Sequence, residues 1–167
     1  MNLVLLLFAE KSGTALPAGL ALAEEWRRDT GGEARWCWPP HLDLPAALDM
    51  ATVHRLPSGE SLGAAFWLCL CHSLARGETP VLVRLGHADV GLAQLQQVRQ
   101  RLADSGAVFG VTAAGDYALV GLARAVPELF AGIPWGTRQV MPATRAQARR
   151  YGCTLGEIKL AAVAAPG

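Results

Sequence analysis

The stretch that decides the fold runs from Ala107 to Leu122 and reads AVFGVTAAGDYALVGL. Two apolar runs within it, at 107–110 and 117–122, have the length and composition of buried strands. The residues between them are small, polar and glycine-bearing, as in a turn. This arrangement places a turn at the end of a strand, where open α/β sheets hold their ligands.

Outward from this stretch, short apolar runs alternate with segments of helical periodicity. Further strands are predicted at 3–8, 35–38, 52–56, 80–86 and 154–163, and helices at 17–28, 62–75, 92–103 and 143–151. The alternation predicts an α/β fold with a mainly parallel sheet and helices on both of its faces. No linker long enough to separate domains interrupts the pattern, so we expect one domain over 1–167.

The composition excludes several classes of protein. Hydrophobic residues make up 51% of the chain and charged residues 17%, which indicates a packed core. The formal net charge of +1 gives no footprint for nucleic acid or an anionic membrane. The opening apolar run at 3–8 is short, lacks a basic region before it and stops at Glu10, so it predicts a strand rather than a signal peptide. We therefore expect a cytoplasmic protein with neither a nucleic-acid nor a membrane partner.

The cysteines show no paired spacing of the kind that metal sites use. Cys69, Cys71 and His72 are the only close neighbours among the thiols and imidazoles. On a helix, Cys69 and Cys71 point to different faces, and Cys69 with His72 would supply only two ligands. We interpret these thiols as buried, with a metal or redox site as the alternative.

Four motifs in the second half of the chain carry a resemblance to a known family. They are GESLG at 59–63, GHADV at 86–90, GVTAAGDY at 110–117, and the spaced set Phe130, Ile133, Trp135 and Thr137. With these motifs the chain resembles the small bacterial glycosyltransferase-like proteins grouped with arsenosugar-biosynthesis glycosyltransferases. The resemblance is best from about 58 to 152. It implies a trimmed version of the nucleotide-diphospho-sugar transferase fold of the GT-A type.

The resemblance also implies charged residues that this sequence lacks. One family aspartate falls on Ala88, a second falls on Ala114, and the lysine expected in the first loop falls on Glu10. Mg²⁺ is bound through one or two carboxylates and the substrate phosphates, so these losses remove its protein ligands. A glutamate in place of a phosphate-binding lysine replaces attraction by repulsion.

Our first hypothesis is therefore a degenerate family member, a pseudoenzyme without a cofactor that acts as a binding or assembly subunit. Its partner would be a second copy of the chain or another protein. The candidate interface residues are Phe66, Trp67, Leu70 and Leu74, and the alternative for them is an ordinary core.

The alternative hypothesis is a transferase acting on a nucleotide-activated sugar or a related phosphorylated small molecule. Asp89 and Asp116 would replace the lost carboxylates, and Mg²⁺ or Mn²⁺ would be needed only in this case. His87 would act as a base, and Lys11 or Arg84 would bind phosphate. The pocket would be shaped by Tyr117, Trp135 and Thr137.

A third hypothesis is a different chemistry on the same scaffold, with His87 beside Asp89 or Asp116. Each of these residues also has a structural interpretation. Asp89 is suited to capping a helix, Asp116 to a turn and His87 to an exposed loop.

Overall fold

The computed structural model describes residues 1–10 and 15–162, which form a seven-stranded sheet covered by helices. The strands are β1 (Leu3–Phe8), β2 (Ala34–Trp38), β3 (Val53–Arg55), β4 (Thr79–Arg84), β5 (Ala107–Val111), β6 (Tyr117–Leu122) and β7 (Leu155–Lys159). The helices are α1 (Leu16–Thr30), α2 (Leu62–Ala75), α3 (Leu92–Leu102) and α4 (Val140–Arg150). The strand order is β3-β2-β1-β4-β6-β5-β7.

The sheet is mainly parallel, as predicted, and β6 is the strand that reverses. It runs antiparallel to both β4 and β5. The reversal follows from the turn after β5, where Gly115 has a φ of 80° and the Thr112 amide donates to the Asp116 carbonyl oxygen at 2.9 Å. Because β6 runs backwards, its first residues lie at the same edge of the sheet as the last residues of β1 and β4.

Helices cover both faces of the sheet, which confirms the predicted layers. Helices α2 and α4 pack on one face, and α1 and α3 pack on the other. Every residue of β1 and of β6 is buried, as expected for central strands with helices on both sides. Within the described residues, no helix combines the length and the apolar character needed to cross a bilayer.

Helix α2 occupies the predicted residues because both of its ends are marked in the sequence. The hydroxyl of Ser61 accepts a hydrogen bond from the Ala64 amide, and the chain leaves the helix at Gly77, whose φ is 76°. Gly63 lets the first turn approach the short 3-10 turn Pro127–Phe130, because a Cβ there would collide with the Phe130 carbonyl oxygen. This contact fixes the start of α2 beside the edge where β1 and β4 end.

Two element ends differ from the sequence prediction by three residues or more. Helix α4 begins at Val140 rather than 143, since Pro142 lies in its first turn, where a missing amide hydrogen costs nothing. Strand β7 ends at Lys159 rather than at 163, and Val163 lies outside the described residues. The chain leaves the sheet there because the carbonyl oxygen of Ala161 accepts a hydrogen bond from the Asp89 amide.

The candidate interface residues on α2 divide into two groups. Phe66 and Leu70 are fully buried against the sheet, so the core interpretation is correct for them. Trp67 and Leu74 are partly buried and pack against the same cluster. The face of α2 that points to the sheet is therefore not available to a partner.

Candidate functional site

The candidate site lies at the edge of the sheet where β1 and β4 end and β6 begins. Glu10 follows β1, Arg84 is the last residue of β4, and Asp116 immediately precedes β6. The parallel register places Phe8 opposite Arg84, which brings Glu10 within reach of the arginine side chain. Two strand ends and one strand start thus bring three charged side chains together.

The guanidinium of Arg84 is the centre of this cluster. Its Nε donates to Glu10 Oε1 at 2.7 Å, and its Nη2 donates to Glu10 Oε2 at 3.3 Å. Its Nη1 donates to Asp116 Oδ1 at 3.0 Å and to the Tyr117 carbonyl oxygen at 2.7 Å. Only 4% of the Arg84 side chain is exposed, so the two carboxylates pair with a cation that has been withdrawn from water.

Aromatic rings cover the same guanidinium. Arg84 Cζ lies 5.3 Å from the ring centroid of Phe66 and 6.0 Å from that of Trp135. The Phe66 and Trp135 rings meet edge to face at 5.3 Å, and Trp135 lies 5.8 Å from Tyr117. These rings keep water from the cation and attract it through their faces.

Glu10 connects His87 to the cluster. Burial alone would raise the pKa of Glu10, but hydrogen bonds and charges from His87 and Arg84 lower that pKa from 4.5 to about 2. His87 Nε2 lies 2.7 Å from Glu10 Oε2. Because an ionised carboxylate only accepts hydrogen bonds, Nε2 carries the proton. The predicted partner of His87 was Asp89 or Asp116, and the structure places its ring against Glu10 instead.

Asp89 lies apart from these contacts. Its side chain is exposed, and its backbone amide donates to the Ala161 carbonyl oxygen at 2.9 Å. It does not cap α3, because Gly91 is the N-cap residue and the Gln94 side chain accepts from the Gly91 amide at 2.8 Å. Among residues 1–10 and 15–162, no hydrogen bond or ion pair joins Asp89 to Asp116.

The residues of this edge do not fit the divalent metal that the fold would imply. In the part of the chain that the structure describes, no group of three or more His, Cys, Asp or Glu side chains could hold a metal ion. The Asp116 carboxylate is already bonded to Arg84 and, at 2.7 Å, to the Tyr117 amide.

The other predicted pocket residues have mainly structural contacts. Thr137 donates to the Pro134 carbonyl oxygen at 2.7 Å and accepts from the Gln139 amide at 3.2 Å, which closes an exposed turn. Tyr117 is buried, burial raises its pKa, and its hydroxyl has no hydrogen-bond partner among the described residues. Trp135 is half-buried over Arg84. Lys11 lies outside the described residues.

A cavity of about 420 Å³ opens beside the charged cluster, between the ends of β1, β2 and β3 and the first turn of α2. Its volume lies in the range of small-molecule sites. Among the described residues that line it, the charged side chains are those of Glu10 and Glu60. The remaining lining residues are Phe8, Ala9, Pro39, Pro40, His41, Leu56, Pro57, Ser58, Gly59, Leu62 and Ala65.

Sequence reasoning missed the pairing of Glu10 with Arg84. The two residues lie 74 positions apart. Sequence reasoning considered Glu10 only as a residue that repels a substrate phosphate, and Arg84 only as one that binds it. A usable indication was nonetheless present, because opposite charges end two apolar strands predicted to lie in the same sheet. Burial at both strand ends favours their pairing over separate exposure.

The seven-stranded sheet with its reversed sixth strand defines the fold class. The fold is that of the nucleotide-diphospho-sugar transferases. A crystal structure from Desulfovibrio desulfuricans G20, described as a "putative nucleotide-diphospho-sugar transferase", aligns with a TM-score of 0.74 and 17% identity. The alignment covers 95% of this chain and 80% of that one, and at this identity it shows the shared fold alone.

The family follows from the sequence. The chain belongs to the DUF2064 family, described as an uncharacterized protein conserved in bacteria, whose model matches residues 23–137. The matched region contains Arg84, Asp116, Tyr117 and the loop with Trp135, whereas Glu10 lies before it. No protein of curated function matches the chain.

Proposed function

We propose that this protein is a non-catalytic binding or assembly subunit, a pseudoenzyme built on the transferase fold. The observation that carries the proposal is the state of Arg84. The guanidinium donates to Glu10, to Asp116 and to the Tyr117 carbonyl oxygen, beneath two aromatic rings. A diphosphate would have to displace both carboxylates to reach this cation.

Electrostatics at this edge also oppose an anionic donor. Two carboxylates face one guanidinium, and an ionised carboxylate repels a phosphate and offers it no hydrogen bond. The low pKa of Glu10 keeps that carboxylate ionised at neutral pH. Lewis-acid help for a leaving diphosphate is worth several kcal/mol, and each 1.36 kcal/mol changes the rate about tenfold. If these residues hold no metal to supply that help, transfer from a nucleotide-sugar would be slowed by orders of magnitude.

The cavity beside Glu10 supports a binding role. About 420 Å³ is enough for a small organic molecule, and most of the described wall is apolar. A ligand held there would offer hydrogen-bond donors to the Glu10 carboxylate. In the assembly form of the proposal, the partner is a second copy of the chain or another protein.

The alternative is a transferase with rearranged carboxylates. Asp116 lies at the edge of the sheet, as this alternative requires. Asp89 is exposed on the loop before α3, where its amide is tied to Ala161. The alternative therefore needs a rearrangement of that loop, together with release of Asp116 from Arg84.

Titration with UDP-, GDP- and dTDP-sugars distinguishes the binding subunit from the transferase. Binding is measured by calorimetry or thermal shift, with and without Mg²⁺ or Mn²⁺. We expect that neither metal ion strengthens the binding of any of these nucleotide-sugars. Binding that strengthens with metal and disappears in Asp89→Ala or Asp116→Ala, but persists in the exposed control Asp104→Ala, would overturn the proposal. Turnover of the sugar donor that needs Asp116 would establish the transferase.

A further inference from the structure

The end of the sheet opposite to Arg84 carries a cluster of arginines. Strand β6 begins beside Arg84 and runs away from it, so Arg124, which follows this strand, lies at the far end of the sheet. Helix α4 ends at the same place, with Arg149 and Arg150 as its last two residues. Arg101, near the end of α3, lies beside the start of β7. These four exposed residues form the arginine cluster.

Two of the guanidiniums are held by groups that do not neutralise them. Arg124 Nη2 donates to the Gly152 carbonyl oxygen at 3.1 Å. Arg150 Cζ lies 5.6 Å from the ring centroid of Tyr151, over the face of the ring. A carbonyl oxygen and an aromatic ring restrict the two side chains and leave their positive charges in place. Ordering these side chains on binding therefore costs less conformational entropy than ordering free ones.

Neighbouring carboxylates do not balance the charge of the arginine cluster. Within the described residues, none of its four guanidiniums lies in an ion pair. The carboxylates on the adjoining segments are Asp104, which follows α3, and Glu128, whose carbonyl oxygen accepts from Gln147 on α4. Glu157 on β7 is already paired with Arg145. Four arginines against two unpaired carboxylates leave a net charge of +2 on this surface.

The dipole of α4 offsets only part of this charge. The carboxyl end of a helix carries about half a negative charge, whereas three guanidiniums lie around the end of α4, those of Arg124, Arg149 and Arg150. The surplus favours an anionic partner. Tyr151 is 47% exposed on the same surface. Arginine and tyrosine are among the residue types enriched at the centres of protein interfaces, so the combination favours a protein partner.

Carboxylates suit this surface better than a nucleic acid does. A guanidinium binds a carboxylate through two parallel hydrogen bonds, and the fixed positions of Arg124 and Arg150 favour that geometry. A nucleic acid needs a longer basic stripe along its phosphates, and the whole chain has a formal net charge of only +1.

We propose that the arginine cluster docks an acidic segment of a different protein, with carboxylates on Arg124 and Arg150 and an apolar contact on Tyr151. A second copy of the chain fits less well, because a two-fold contact centred here would place like charges opposite each other. The inference rests on the assembly form of the proposed function, which requires a protein partner. A partner docked here would leave the cavity beside Glu10 open, since the two lie at opposite ends of the sheet.

Fluorescein-labelled hexaglutamate is the probe, and its anisotropy is followed as the whole protein is added at low and at physiological ionic strength. We expect saturable binding that weakens as salt is added, because the charges are exposed and therefore screened. A single-stranded oligonucleotide with the same number of charges is titrated in parallel. Tighter binding of the oligonucleotide than of the peptide would replace the protein partner by a nucleic acid and overturn the proposal.

Matched variants localise the contact. Arg124→Gln and Arg150→Gln should each weaken hexaglutamate binding about fivefold, since each removes a charge-assisted hydrogen-bonding pair. Arg28→Gln is the control, because it removes the same charge from an exposed side chain on α1 that pairs with Glu24. Its binding should be unchanged.

An absence of saturable binding, or an equal loss in Arg28→Gln, would overturn the proposal. The altered side chains are exposed, so the variants should fold, which thermal unfolding checks. The nucleotide-sugar titrations test the proposed function at the other end of the sheet. Either proposal can therefore fail without the other.

Discussion

Replacing Glu10 by glutamine tests whether the buried charge cluster holds the sheet edge together. The pKa of Glu10 is about 2 in the folded chain against an ordinary value of 4.5. At 1.36 kcal/mol per unit, this difference corresponds to about 3 kcal/mol of stability at neutral pH. The side chains of Arg84 and Glu10 are only 4% and 16% exposed, so solvent screening does little to reduce this contribution.

The sign of the pH dependence follows from the lowered pKa. As the pH falls below about 4.5, the unfolded chain binds a proton that the folded chain excludes. The stabilisation is therefore complete above pH 4.5 and is lost as the pH falls towards 2. Since glutamine resembles protonated glutamate, Glu10→Gln should be less stable than the natural chain by about 3 kcal/mol at pH 7. The two stabilities should converge near pH 2.

Urea unfolding followed by tryptophan fluorescence at several pH values measures both curves. Glu157→Gln is the matched control, because Glu157 makes the same two-oxygen contact with Arg145 at the surface. The side chains of Arg145 and Glu157 are 39% and 35% exposed, so this pair should contribute only about 0.5 kcal/mol. A difference for Glu10→Gln that stays constant with pH, or that equals the control, would refute the reasoning.

Three further substitutions test other contacts. Tyr117→Phe should raise the free energy of unfolding by about 1 kcal/mol in urea titrations, because it removes a buried hydroxyl without a protein partner; a loss of stability would show that the hydroxyl is bound. Gly63→Ala should cost roughly 2 kcal/mol or more, since its Cβ meets the Phe130 carbonyl oxygen, and a cost no larger than that of Ala64→Gly would contradict this contact. Asp116→Ala should cost about 2 kcal/mol in thermal unfolding through its bonds to Arg84 and the Tyr117 amide, whereas exposed Asp89→Ala should stay within about 0.5 kcal/mol. Equal losses of stability in Asp116→Ala and Asp89→Ala would contradict the conclusion that only the Asp116 side chain makes stabilising bonds.

Local patterns in the sequence predicted most elements of the fold because local chemistry decides them. Ser61 and Gly77 mark both ends of α2, and the apolar run 117–122 matches β6. The direction of β6 could not be predicted, since buried parallel and antiparallel strands have the same apolar composition. The backward course depends on the turn around Gly115, whose conformation the sequence permits but does not require.

The candidate site was predictable in position but not in its contacts. The structure brings His87, Arg84 and Asp116 together at one edge of the sheet, near the predicted turn. The partners of these residues depend on which strands are neighbours and on the exact end of each one. His87 therefore reaches Glu10 on β1, while Asp89, two positions further on, lies exposed and bonds through its backbone to the segment after β7.

The charged cluster also explains why a single substitution would not create a phosphate site at this edge. Glu10→Lys would supply the cation that the family resemblance implies, but it would place a second buried charge beside Arg84. Only Asp116 would remain to compensate the two cations, and an uncompensated buried charge costs roughly 3–5 kcal/mol. Removing Arg84 alone leaves Glu10 and Asp116 facing each other without a cation. The residues at positions 10 and 84 therefore depend on each other, and an anion-binding edge built here would require both to change together.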